Sequence, residues 1–166
     1  MSNRQIIIAV DAMGGENSPF KCLKGIEIFS SKKPDVNFKI FGDKFLISKS
    51  IKDNNLQINN YEIVNCTENV LDDDNASTIL RSRKNSSIYQ GLSFVADNLN
   101  SGFVSAGNTA ALMILSRLIL GMIDGINRPA ICSKIPSHNS FSLMMDLGAN
   151  VYVLSLIHIS EPTRPY

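Results

Sequence analysis

The sequence lacks paired cysteines and a marked excess of charge of either sign. Its three cysteines, Cys22, Cys66 and Cys132, are odd in number and far apart, so they show neither zinc-site spacing nor a disulfide framework. This use of cysteine favours a reducing cytoplasm as the location. Sixteen basic and fifteen acidic residues give a net charge of +1. This charge is too small to create an overall positive potential that would attract nucleic acid. Any anion site must therefore be local.

The sequence also lacks a long apolar run. Its most hydrophobic segment, 110–123, is interrupted by Ser116 and Arg117 and is shorter than the ~20 residues of a membrane span. No basic and apolar leader opens the chain. With 166 residues, of which 44% are hydrophobic, we expect a soluble chain with one core, forming a domain or a piece of one.

A β-branched run at 5–10 predicts a first strand that is covered on both faces. It ends in Asp11-Ala-Met-Gly-Gly15, which places Asp11 at the carboxyl end of that strand. Open α/β sheets bind ligands at this edge, and paired glycines permit close approach of the backbone. A cap for its own loop is the other reading of such an aspartate, and the residues leave both open.

Alternating signals follow this strand. Ser18 and Pro19 predict a helix to about Ser31, with Ser18 as the cap and Pro19 at the first helical position. A strand at 36–42 and a short helix at 43–52 come next. The inner face of that helix is predicted to be Phe45, Leu46 and Ile51. A third strand near 57–64 completes a β-α-β-α-β order, which indicates a parallel, doubly wound sheet.

Two later segments contain the components of an anion site. The first, 81–87, has three cations within 81–84, followed by the two hydroxyls of Ser86 and Ser87 at the head of a helix at 88–99. The second, 102–121, predicts a buried strand, a turn at Gly107 and an apolar helix capped by Ser105, Asn108 or Thr109. Unsatisfied N–H groups and the helix dipole would hold phosphate at such helix starts. An ordinary basic turn and an ordinary strand-to-helix turn remain alternatives.

The rest of the chain predicts two more strands. One opens at 128–132 and the other runs over 141–147, with a turn at 136–140 between them, so that Asp146 ends a strand as Asp11 does. His138 is predicted to be an exposed turn residue and not a base, because no carboxylate or nucleophile is near it in sequence. The acidic run at 72–74 is predicted to be a solvated loop, with metal binding a distant second reading.

Five segments in order resemble the bacterial phosphate acyltransferase (PlsX) family. They are VDAMGG at 10–15, RKNSS at 83–87, VSAGNT at 104–109, RPA at 128–130 and DLGAN at 146–150. The resemblance implies the amino-terminal half of such a protein. It also implies a truncated three-layer α/β/α doubly wound sheet, similar to the isocitrate dehydrogenase and phosphotransacetylase type. The implied activity is formation of acyl phosphate from fatty acyl-acyl carrier protein and inorganic phosphate, in phospholipid synthesis.

The residues and the resemblance together define a candidate site. The predicted catalytic residues are Asp11, Lys84 and Asn108. The predicted substrate- and phosphate-binding residues are Gly14, Gly15, Arg83, Ser86, Ser87, Ser105, Gly107, Thr109, Arg128 and Asn150. No cofactor and no metal is expected.

The implied chemistry needs positioning more than a strong base. Phosphate is already a dianion near neutral pH and the leaving thiol has a pKa of about 8.5. Preset donors for the developing oxyanion are worth on the order of 3 kcal/mol each. A covalent cysteine route is disfavoured, because no cysteine adjoins these motifs.

The implied partners are acylated acyl carrier protein, inorganic phosphate and a second copy in a homodimer, with peripheral membrane association of the intact protein and no nucleic acid. Residues 1–151 are expected to be the enzyme part, and 152–166 resemble adapter read-through and are set apart as a non-native tail. Two alternatives stay open. One is a nicotinamide-dependent dehydrogenase-like enzyme, although the first loop lacks GxGxxG. The other is a truncated product that is inactive and tends to associate.

Overall fold

A computed structural model describes residues 5–68, 70, 79, 82–126, 129–138, 140–145 and 147. The chain divides into two compact units, Met1–Gly121 and Met122–Tyr166. Several sequence predictions lie outside the described residues. They concern Arg128, Asp146, Asn150, the acidic run at 72–74 and the tail at 152–166.

The first unit contains eight described helices and strands: β1 (Ile7–Asp11), α1 (Phe20–Lys32), β2 (Asn37–Gly42), α2 (Lys44–Asp53), β3 (Tyr61–Asn65), α3 (Ser87–Asp97), β4 (Ser101–Val104) and α4 (Thr109–Ile119). The second unit contains β5 (Cys132–Pro136) and β6 (Phe141–Met145). None of the helices in the described ranges has the length and apolar character that crossing a membrane requires.

The sheet of the first unit has four parallel strands in the order β3-β2-β1-β4. The chain moves outward from β1 to β3 and then crosses to the opposite side of β1 to form β4. The strand order therefore reverses between β1 and β4, and a crevice opens there at the carboxyl edge. Asp11 ends β1 at this crevice and Ser105 follows β4 directly.

Helices cover both faces of this sheet. On one face, Val10 and Ile40 pack with Leu23 of α1 and Ile47 of α2. On the other face, the core is formed by Ala9, Phe41, Cys66 and the partly buried Phe94 and Phe103. Helix α4 packs against α3 through Leu92, Ala111 and Leu115. The predicted three-layer α/β/α fold is thus confirmed.

The second unit is a β-hairpin. β5 and β6 pair antiparallel, with Cys132 opposite Met145 and Pro136 opposite Phe141. Ser137 and Ser140 exchange backbone hydrogen bonds of 3.0 and 3.4 Å across the turn. His138 is exposed in this turn, as its sequence surroundings predict. β5 begins at Cys132, the last residue of the segment 128–132 that was predicted to open this strand.

The predicted role of Ser18 as a helix cap is wrong. Helix α1 begins at Phe20, with Pro19 at the cap position and no side-chain cap. The Ser18 hydroxyl instead donates to the backbone oxygens of Gly14 at 2.6 Å and Gly15 at 2.8 Å. It therefore braces the glycine loop that precedes the helix.

Other details of the predicted packing are also wrong. Phe45 is 73% exposed and Leu46 42% exposed, whereas Ile47 is fully buried and Ile51 packs partly buried beside it. The buried face of α2 is formed by Ile47 and Ile51, because residues four positions apart lie on the same face of a helix. β4 was expected to be buried, but it ends the described sheet, so Val104 is 55% exposed.

Candidate functional site at the strand-order reversal

A cleft of about 470 Å³ lies at the carboxyl edge of the sheet in the first unit. It falls at the strand-order reversal, and its volume lies within the range of small-molecule sites. Its described lining consists of Asp11, Met13, Gly14, Gly15, Glu16, Val70, Ser87, Ile88, Ala106, Gly107 and Asn108. These residues come from the loop after β1, the loop after β4 and the start of α3.

Asp11 joins the first two of these loops. Its side chain is 1% exposed. Oδ1 accepts the N–H groups of Met13 at 3.0 Å and Gly14 at 3.1 Å. Oδ2 accepts the hydroxyl of Ser105 at 2.6 Å, and the Ser105 oxygen accepts the N–H of Gly107 at 3.0 Å. Three donors compensate the burial of this charge, as a buried carboxylate requires.

The same two loops touch through glycine backbone. A Cβ on Gly14 would lie 2.6 Å from both Asp11 Oδ2 and the backbone nitrogen of Gly107. Gly15 has a φ of 84°, and a Cβ there would lie 2.8 Å from the backbone oxygen of Ala106. Glycine is therefore required at both positions, sterically at Gly14 and also conformationally at Gly15.

Two helices begin at the cleft. Asn108 caps α4 by accepting the N–H of Ala111 at 2.9 Å. Ser86 caps α3 by accepting the N–H of Tyr89 at 3.4 Å. Helix starts carry N–H groups without intrahelical partners and the positive end of the dipole. The amino-terminal ends of α3 and α4 therefore both favour binding of an anion in the cleft.

The basic loop before α3 is held by Glu68, a residue that the sequence did not single out. The Glu68 carboxylate accepts the N–H of Asn85 at 2.8 Å, and the Glu68 N–H donates to the Asn85 carbonyl at 3.3 Å. The Ser86 hydroxyl also donates to the Arg83 carbonyl at 2.6 Å. Glu68 lies in a segment without a periodic pattern, so no sequence signal marked it.

The charges of the described lining are acidic. They are the carboxylate of Asp11, which its donors compensate, and that of Glu16, which is 93% exposed and lies 3.8 Å from Lys21 Nζ. Arg83 and Lys84 precede α3 but are not among the lining residues. A bound phosphate would therefore depend on helix N–H groups and on cations that reach in from the neighbouring loop.

The structure brings together most, but not all, of the predicted site residues. Asp11, Gly14, Gly15, Ser87, Gly107 and Asn108 all line the cleft. Ser105 does not line the cleft itself but donates a hydrogen bond to Asp11, which does. Ser86 is buried with its hydroxyl engaged in the helix cap, and Thr109 is exposed as the first residue of α4. Sequence reasoning did not select Met13, Glu16, Val70, Ile88 and Ala106, which also line the cleft.

The two buried or half-buried cysteines of the first unit have raised pKa values. Burial raises the pKa of Cys22 to about 11, with a smaller contribution from the negative charge of Asp11. Burial raises the pKa of Cys66 to about 11 as well, against an opposing hydrogen bond from the Gly42 backbone. Both thiols are therefore neutral at pH 7, which disfavours either as a nucleophile.

Residues 6–156 match the family model described as "Fatty acid synthesis protein". The chain is 38% identical over 143 residues to a phosphate acyltransferase of Caldicellulosiruptor saccharolyticus, covering 86% of this chain and 43% of that one. It is 41% identical over 153 residues to a phosphate acyltransferase of Wolbachia pipientis wMel, covering 90% and 44%. It is 39% identical over 144 residues to one of Magnetococcus marinus, covering 87% and 41%.

The chain thus spans less than half the length of these relatives. The matched region contains the whole of the cleft lining described above, from Asp11 to Asn108. Because the family model covers most of the sequence, this chain belongs to the fatty acid synthesis protein family.

Proposed function

We propose that this chain supplies the phosphate-binding part of a phosphate acyltransferase. That enzyme transfers a fatty acyl group from acyl carrier protein to inorganic phosphate. The observation that supports the proposal is the convergence of two helix starts and a glycine loop on one cleft at the strand-order reversal. The relatives named phosphate acyltransferase agree with it.

In the proposed reaction, a phosphate oxygen attacks the thioester carbonyl carbon and the carbon–sulfur bond breaks. The proton of hydrogen phosphate ends on the leaving thiol, so that acyl phosphate and the carrier thiol are the products. The N–H groups at the starts of α3 and α4 would orient phosphate or stabilise the oxyanion. Catalysis then comes from positioning and preset donors. Asn108 lines the cleft, and Lys84 would have to reach in from the loop before α3 to neutralise the phosphate.

The intact protein is proposed to act in the cytoplasm as a homodimer with peripheral membrane association. Helix α4 supports an apolar contact with another molecule, because Leu118 is 54% exposed near its carboxyl end. Leu120, which follows the helix directly, is 47% exposed as well, and contiguous exposed apolar surface marks contacts of this kind.

We expect a version extended to the length of its relatives to make acyl phosphate. Incubation with acyl-acyl carrier protein and phosphate should give a product that hydroxylamine traps as the hydroxamate, and omission of phosphate should abolish it. Turnover of a hydroxy acid with a nicotinamide, without any hydroxamate, would overturn the proposal.

Replacing Arg83 and Lys84 together with Ala is expected to raise the phosphate KM of that extended protein by at least tenfold. Charge-assisted hydrogen bonds contribute roughly 1.5–3 kcal/mol each, so losing them weakens binding of the anion. The KM for the acyl carrier protein should change less than twofold.

A matched control is the Lys49→Ala and Lys52→Ala double variant. It removes two exposed cations from α2, which packs on the opposite face of the sheet from α3. Both KM values should stay unchanged in this control. An unchanged phosphate KM in the Arg83 and Lys84 variant would show that these residues do not bind phosphate and form an ordinary solvated turn.

A further inference from the structure

An apolar groove of about 620 Å³ adjoins the polar cleft in the first unit. Its walls are α1 on one side and β4 on the other, and its floor is formed by Ile8, Val10 and Phe38 of the sheet. The groove opens on the face of the sheet that α1 covers. β4 is the edge strand of the described sheet, so α1 does not reach over it and a space remains between the two. Val10 and Phe38 of the floor are buried, whereas Val104 is 55% exposed and Phe29 is 42% exposed.

The groove and the polar cleft share one wall. Asp11, Gly14, Gly15, Glu16 and Ala106 line both. The two spaces therefore meet at the glycine loops, where polar groups give way to apolar ones. A ligand with an ionic head and a hydrocarbon tail matches this change of lining.

The groove follows α1 away from the carboxyl edge of the sheet. Lys21 lies at the polar end and Phe29 about two helical turns further on, roughly 12 Å along the axis. At the far end, the rings of Phe29 and Phe38 form an edge-to-face contact with centroids 6.1 Å apart. Midway, Gly25 has no side chain, and a Cβ there would meet nothing within 4 Å.

We propose that this groove binds the hydrocarbon chain of the fatty acyl substrate, with the carbonyl at the shared loops and the methyl end toward Phe29. The assignment rests on the proposed function, since that function places the carbonyl beside phosphate in the cleft. The Cys22 thiol in the groove wall is neutral at pH 7, because burial and Asp11 raise its pKa to about 11. Cys22 therefore adds no charge to the apolar part of the wall, and the charged residues of the lining, Asp11, Glu16 and Lys21, lie at its polar end.

Gly25→Leu tests the proposal, because the new side chain enters open space halfway along the groove. Leu also has a higher helix propensity than Gly, and circular dichroism melting checks that the variant folds. Ser31→Leu is the matched control. It adds the same side chain to an exposed position of α1 that does not line the groove.

The first measurement uses the 166-residue protein and a ten-carbon fatty acid that carries a diazirine near its methyl end, because an extended chain of this length spans roughly the 12 Å between the polar end and Phe29. After irradiation, peptide mass spectrometry should find the label on α1 near Phe29 or on β4. Gly25→Leu should reduce this labelling at least fivefold, and Ser31→Leu should leave it unchanged. Equal labelling of Gly25→Leu and the parent protein would overturn the proposal. Absence of label from α1 and β4, which would mean that a second copy or another part of the protein covers the groove, would overturn it as well.

The second measurement uses the extended protein and acyl-carrier substrates of different chain length. Gly25→Leu should raise the KM for a sixteen-carbon substrate at least tenfold, while the KM values for a four-carbon substrate and for phosphate change less than twofold. Acyl phosphate formation with no change in chain-length preference would refute the groove and leave the proposed function standing. Groove labelling without any acyl phosphate would refute the proposed function alone.

Discussion

Gly14→Ala is expected to destabilise the protein by roughly 1–3 kcal/mol and to abolish phosphate-dependent turnover in the extended protein. The added Cβ would lie 2.6 Å from the Gly107 nitrogen and 2.8 Å from its Cα. These neighbours are backbone atoms, so the two loops must separate, and overpacking of this kind carries costs of that size. Gly14 has no positive φ, so the effect isolates the steric contact.

The measurement is urea unfolding of the 166-residue chain, followed by circular dichroism. Gly25→Ala is the matched control, because a Cβ at Gly25 meets nothing within 4 Å. It replaces a glycine inside a helix and should raise the free energy of unfolding by about 0.5–1 kcal/mol. Equal stability of Gly14→Ala and the parent chain would show that the loops are not in the contact described.

Much of this fold could be predicted from local patterns. The β-branched run before Asp11 identifies β1, and the alternation that follows identifies the parallel sheet, because both signals depend on residues close in sequence. The Asn108 cap of α4 was likewise predicted among its alternatives and is confirmed. The Ser18 cap failed because its hydroxyl bonds the two glycine carbonyls before it.

The details of the site could not be predicted in this way. The hydrogen bond from Ser105 to Asp11 joins residues 94 positions apart. It exists because β4 pairs with β1 and not with β3, a choice that no local propensity determines. Glu68 holds the basic loop from a segment without periodicity. The apolar groove depends on which sheet face α1 leaves uncovered, and this too follows only from the strand order.

Asp11→Ala is expected to cost about 3 kcal/mol or more in the free energy of unfolding. It leaves the N–H groups of Met13 and Gly14 and the hydroxyl of Ser105 without their acceptor. Each buried group that loses its partner costs roughly 1–3 kcal/mol. Asp11→Asn keeps an oxygen for the two N–H groups, and its amide can donate to Ser105 Oγ, so its cost should be about 1–2 kcal/mol.

The same pair of variants separates a loop brace from a catalytic base. Asp11 was predicted to be catalytic, yet both its oxygens are engaged by the protein's own donors. If it acts by holding the loops, Asp11→Asn in the extended protein should keep kcat within about tenfold and leave the pH profile unchanged. Loss of a general base would instead lower kcat by about a hundredfold or more and alter the limb of the profile that the base sets.

Ser105→Ala completes the argument as a double-mutant cycle with Asp11→Asn. Ser105 donates to Asp11 and accepts from Gly107, so removing it should weaken the same connection between the loops. The two changes should couple by about 0.5–3 kcal/mol in unfolding and raise the phosphate KM through the same displacement of the loops. Additive effects on both quantities would mean that Asp11 and Ser105 act separately, and the loop-brace role would then be wrong.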